Sequence, residues 1–216
     1  MGALSTPLSI SYGNGLGVVL APRQPLRLSN MAWDFPERPD LIALTTVHER
    51  LDFLREYLKS LCGIWDKLPR LFLDAYFRDI ADCIVRDRLG IEALAAMHGG
   101  LFRAEDWSFA ALCPLPRARL PMSPEIPVSL AFWTGDDLHA IEITGAGSPT
   151  RSQRECRARL RERDVRVIEI PAADLQRGQT GDLIASLPTL LRDFWKSVPL
   201  PASPFRIGEL GETLPA

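Results

Sequence analysis

The chain has 216 residues, 46% of them hydrophobic and 24% charged, with a formal net charge of −2. That balance supplies apolar material for one sizeable core and excludes a strongly basic protein that coats nucleic acid indiscriminately, although a local basic face can still bind phosphate. The cysteines Cys62, Cys83, Cys113 and Cys156 form no C-x-x-C pair and only His48, His98 and His139 supply imidazoles, so no dedicated zinc site is expected and the thiols read as buried and reduced.

No segment approaches the roughly 20 apolar residues that a membrane-spanning helix needs, and the start lacks a leader pattern. A cytoplasmic protein without membrane contact is the expectation. In chain order, residues 8–20 place two short apolar runs around Gly13-Asn14-Gly15, which predicts a β-hairpin because those residues supply positive φ at low cost. The same glycines are not a phosphate loop, since Val18-Val19-Leu20 continues as strand instead of opening a helix. Residues 22–39 are rich in proline and carry Trp33 and Phe35, the pattern of an extended segment with aromatic anchors.

Thr45-Thr46 followed by Glu49 predicts a capped helix whose apolar stripe is Val47, Leu51, Leu54, Tyr57, Leu58 and Leu61. A second helix over 69–88 buries Leu71, Phe72, Ala75, Tyr76, Ile80, Cys83 and Ile84. Asp74, Arg78, Asp82 and Arg86, four apart and alternating in sign, form its solvated face. Gly90, Gly99 and Gly100 bound a short third helix over 91–97. Residues 107–114 are a candidate strand, and the prolines at 114, 116, 121, 124 and 127 predict a long turn.

Residues 128–133 and 138–144 flank Thr134-Gly135-Asp136-Asp137 and predict a second hairpin; Asp136 and Asp137 are turn formers. Ser148 or Thr150 caps a helix running to about residue 163, and residues 165–170 return as a strand, parallel to its neighbour because a helix intervenes. A last helix over 180–196 packs on the sheet, and the tail beyond Pro199 is loosely ordered. The expected divisions are residues 1–44, a hairpin and extended segment; 45–106, a helical region; 107–198, the core; and 199–216, the tail.

This order of elements around Glu142 resembles the PD-(D/E)XK superfamily of restriction-endonuclease-like nucleases, and within it the small forms related to very-short-patch-repair endonucleases. The resemblance covers roughly residues 107–195. It implies an α/β fold with a restriction-endonuclease-like mixed sheet flanked by helices, preceded by a mainly helical N-terminal half. It also implies Mg²⁺ held by carboxylates, where the metal polarises a phosphodiester and acidifies its bound water. Glu142 matches the acidic residue of the third-strand motif and is the implied metal ligand, with Ile143 in the variable position. Thr144 stands where lysine is expected, and Ser129 falls at the first acidic position, with Glu125 the carboxylate just upstream. Glu142 and Glu125 are therefore the candidate catalytic residues, and Gln153, Arg154 or Arg157 of the following helix could reach the same space.

Two readings of Glu142 stand together: a metal or phosphate site, or an ion pair with Arg154 or Arg157. Glu169 either extends the Glu142 cluster or faces outward. His139, three residues before Glu142 and so on the opposite strand face, reads as a surface or edge histidine. Residues 151–166 carry seven arginines against Glu155, Glu162 and Asp164. Arg151, Arg154, Arg157 and Arg161 recur at helical spacing and are the candidate nucleic-acid contacts, because guanidinium forks match phosphate oxygens. The resulting expectation is a divergent nuclease-fold protein that binds nucleic acid, DNA ahead of RNA, with Mg²⁺-dependent hydrolysis if active. The alternative is a catalytically inactive structural or protein-interaction module.

Overall fold

A computed structural model describes residues 6–31, 47–97, 99, 111–145 and 149–176. Strands β1 (Leu8–Tyr12) and β2 (Leu16–Leu20) form the first hairpin, paired antiparallel from Leu8↔Leu20 to Tyr12↔Leu16. Gly13 at φ +55° and Gly15 at φ +96° make its turn, a left-handed conformation that disfavours residues with a Cβ. Ser11 pairs with Arg119 of β3, which joins this hairpin to the main sheet.

Within the segment expected to be extended, Leu28–Met31 forms a short helix, α1, whose first turn is held by Arg27 N–H donating to Asn30 Oδ1 at 2.9 Å. The Trp33 and Phe35 anchors and the Thr45-Thr46 cap lie outside the described residues. Helix α2 spans Val47–Leu61 and α3 spans Lys67–Met97. The predicted break at Gly90 is absent. A single glycine costs only about 1 kcal/mol within a helix, and the strong helix formers after it carry α3 on. Arg78 and Asp82 of the expected solvated face are exposed, whereas Asp74 is half-buried. Asp74 reaches across to α2, accepting from Lys59 Nζ at 2.9 Å and lying 3.6 Å from Arg55 Nε.

The predicted proline turn contains a strand, β3 (Leu115–Leu120), followed by β4 (Ile126–Trp133) and β5 (Leu138–Thr144). Pro116 fits because its carbonyl accepts from Gly13 N–H at 2.7 Å. Its imide nitrogen therefore faces β1, where the registered ladder is limited to the Ser11↔Arg119 pair, and no bond to β4 is sacrificed. The β4–β5 hairpin pairs Leu130↔Ile141 through Trp133↔Leu138 as expected. Gly135 in its turn, at φ +99°, lies against the backbone of residues 23–25, where an added Cβ would come within 3.2 Å.

Helix α4 (Arg151–Glu162) leads to β6 (Arg166–Pro171) and a short helix, α5 (Ala172–Gln176). Strand β6 runs parallel to β5, from His139↔Arg166 to Thr144↔Pro171. The six strands form one mixed sheet in the order β2-β1-β3-β4-β5-β6. Alternation divides its residues between two faces. Phe132, on the face shared with Leu130 and His139, packs on Phe72 and Tyr76 of α3 with ring centroids 6.1 and 5.5 Å away. Helix α4 covers the other face through Leu160 and Arg157. The described residues thus form an α/β fold in three layers, and Trp133, Phe72 and Phe132 are the largest fully buried side chains among them.

The candidate strand over 107–114 is described only from residue 111, where Leu112 makes an isolated bridge with Arg27 and its carbonyl accepts from Tyr76 Oη at 2.8 Å. The helix expected over 180–196 and the tail lie outside the described residues. Among the described residues, no helix is long and apolar enough to cross a membrane.

Candidate functional site

Strand β5 lies between β4 and β6, alternation and the contact with Arg157 put Glu142 on the face under α4, and the parallel register sets Glu169 of β6 directly beside it. Two carboxylates in neighbouring positions repel each other unless a cation lies between them. Helix α4 supplies that cation. Its start is fixed by a capping box in which Thr150 Oγ1 accepts from Gln153 N–H and Gln153 Oε1 accepts from Thr150 N–H. Two turns later Arg157 points inward.

Arg157 Nε donates to Glu142 Oε2 at 2.5 Å, and a terminal nitrogen of the same guanidinium donates to Glu169 Oε1 at 2.7 Å. The side chains of Arg157 and Glu142 are only 11% and 19% exposed, whereas Glu169 is 42% exposed. One planar fork therefore spans both carboxylates, with Glu142 on the dry side. A charge-assisted bridge of this kind is strong when kept whole and costly to break.

The other expected site residues are placed elsewhere. Glu125 is exposed at the start of β4, with a carboxylate oxygen 3.8 Å from Arg119. Ser129 is the β4 residue that follows the paired Leu130↔Ile141 position and so comes opposite Glu142. Glu125 lies four residues further, about 13 Å along a strand. Glu142 and Glu125 are thus not brought together. Thr144, at the lysine position of the motif, directs its hydroxyl to the Ile170 carbonyl at 3.5 Å. Gln153 is committed to the capping box. Among the described residues no group of three or more His, Cys, Asp or Glu side chains is arranged to hold a metal ion.

The arginines expected to form one ridge divide into distinct environments. Arg157 is buried in the bridge and Arg151 pairs with Glu155 at 2.8 Å on the surface; Arg159, outside that set, donates to the Pro124 carbonyl at 2.8 Å. Arg154 and Arg161 are exposed and make no ion pair among the described residues. Asp137 plays the expected turn role, its N–H donating to Thr134 Oγ1, and also pairs with Arg166 at 3.0 Å.

His139 corrects the expectation of a surface histidine: it is fully buried, and neither ring nitrogen has a hydrogen-bond partner. The opposite face of β5 is covered by helices instead of being open to water. Burial lowers its pKa to about 4, outweighing the attraction of Asp137. Asp79 of α3, which no sequence pattern singled out, is likewise buried with Oδ2 unpartnered. Burial, followed by repulsion from Asp82, raises it to about 7. Cys62, Cys113 and Cys156 are free thiols, the first two buried as expected and Cys156 half-buried, and burial raises Cys62 to about 11.

Comparison of the chain with protein-family models, curated proteins and solved structures finds no match in any of the three.

Proposed function

We propose that this protein binds nucleic acid, DNA ahead of RNA, on a restriction-endonuclease-like core whose hydrolytic centre has become an ion-paired one. The observation that carries the reading is the division of labour among the α4 arginines. The inner one, Arg157, bridges Glu142 and Glu169, while Arg154 and Arg161 are left to solvent. A guanidinium between two carboxylates offsets one of their two charges and relieves their repulsion, but it cannot activate water as a bound divalent cation does, since its pKa stays above about 12. Mg²⁺-dependent cleavage at Glu142 would require Arg157 to withdraw. The outer arginines keep the phosphate-binding capacity that the basic helix suggested.

The test combines binding and cleavage of labelled single- and double-stranded DNA and RNA. The expected result is affinity that falls steeply with salt, as phosphate contacts require, and no hydrolysis with Mg²⁺ or Mn²⁺. Hydrolysis by the wild type that Glu142→Ala abolishes would establish a divergent nuclease instead. Absence of affinity for all four substrates at low salt would leave the protein-interaction module as the reading.

A further inference from the structure

A cavity of about 510 Å³ opens where the α2–α3 loop meets strands β3, β4 and β5. Its size lies in the range of small-molecule sites. Lys67, Arg117 and Arg119 line it together with a single carboxylate, Asp66, and Trp65 stands at its wall. Trp65 is 88% exposed and contributes nothing to the core.

The cations are lightly engaged. Arg117 lies 4.0 Å from Asp66 and Arg119 lies 3.8 Å from Glu125, both as exposed pairs, while Lys67 makes no ion pair among the described residues. Such pairs yield readily to a better anion. Arg117 also holds φ 50° within β3, a costly left-handed conformation for a residue with a Cβ, and such outliers gather at ligand sites. Ser129, the β4 residue opposite Glu142, also lines the cavity.

We propose that this cavity binds one nucleotide unit of a single strand, its phosphate held by Arg117 and Arg119 and its base stacked on Trp65. The inference rests on the reading of the chain as a nucleic-acid binder and names the form of ligand. Guanidinium forks suit phosphate oxygens, and an exposed indole gives any base a stacking surface. Anion and aromatic requirements are thus met within one cavity, which a purely inorganic anion would not use.

The test titrates a labelled oligothymidylate by anisotropy, and free thymidine monophosphate and inorganic phosphate by calorimetry. It compares the wild type with Trp65→Ala, Arg119→Glu and the double variant Arg154→Glu/Arg161→Glu. Trp65→Ala is expected to weaken oligothymidylate binding about tenfold, the usual scale for one stacked base, and Arg119→Glu to weaken it and flatten its salt dependence. The exposure of both residues keeps folding out of the comparison. Binding lost in the α4 double variant but unchanged in Trp65→Ala would overturn the cavity assignment while leaving nucleic-acid binding intact. Monophosphate binding that depends on Trp65, without oligothymidylate or duplex binding, would keep the cavity as a free-nucleotide site and end the broader reading. Equal binding of phosphate and monophosphate, insensitive to Trp65→Ala, would overturn the stacked-base assignment, as would no binding of either.

Discussion

Glu142 and Glu169 stand side by side on parallel strands β5 and β6, and a single guanidinium, that of Arg157, spans them. Like charges at adjacent ladder positions are unfavourable in isolation, so the pair exists because α4 delivers Arg157 between them. The arrangement makes Glu142 a largely buried partner in packing.

Replacing Arg157 therefore has a cost beyond one lost contact. Arg157→Met is expected to destabilise the fold by roughly 3 kcal/mol, because it leaves Glu142 and Glu169 facing each other without their cation. Adding Glu142→Gln to that variant should recover part of the loss. Urea denaturation of both singles and the double gives the coupling; strict additivity would show that the bridge contributes no stability.

With Arg157 removed, the two carboxylates become open to a divalent cation. Arg157→Ala should show a melting temperature that rises with millimolar Mg²⁺ or Mn²⁺, whereas the wild type should not, since binding to the folded state alone stabilises it. An equal rise in both proteins would place cation binding elsewhere.

The outer arginines should matter for affinity and not for folding. Arg154→Glu/Arg161→Glu is expected to leave the denaturation midpoint unchanged, as exposed charges contribute little stability. It should also lower the slope of log affinity against log salt by about 2, one per lost phosphate contact. Salt titrations of duplex DNA binding check this, and an unchanged slope would remove α4 from the interface.

The buried pair of titrating groups predicts a masked pH dependence. Folded Asp79 keeps its proton to about pH 7 while the unfolded chain releases it near 3.8, so its contribution to stability falls as pH rises across that window. Folded His139 stays neutral down to about pH 4 while the unfolded chain binds a proton near 6.5, so its contribution falls as pH drops from 6.5 to 4. The two oppose each other between about pH 4 and 6.5, each on the order of 3 kcal/mol. Asp79→Asn should therefore make stability climb with pH through this range, and His139→Leu should make it decline. Identical, flat profiles in both variants would refute the assignment of these groups.

Local pattern was enough for much of the architecture. The Gly13-Asn14-Gly15 and Thr134-Gly135 turns, the capped helix from Thr150 and the parallel return of β6 were legible because turn chemistry and periodicity act over a few residues. Strand β3 was not, since its prolines imitate a turn until the limited β1–β3 ladder shows that Pro116 loses no bond. Helix α3 continues through Gly90 because propensity is a weak force against neighbours and packing.

At the site the division is similar. Glu142, Arg157 and Glu169 were visible as candidates one at a time, but which arginine reaches Glu142 depends on how α4 crosses the sheet. Trp65 lies far in sequence from Arg117 and Arg119 and meets them only at the cavity, and a lone tryptophan or a pair of alternate arginines carries no signal by itself. His139 illustrates the limit most directly: strand alternation correctly assigned it to the face opposite Glu142, and only the packing of helices on that face excluded water. Most turns, caps and the charge pattern were readable from the residues alone, because these follow from short-range sterics and spacing. Burial, charge pairing and the joining of distant residues into a site emerged on packing, because those depend on which surfaces meet.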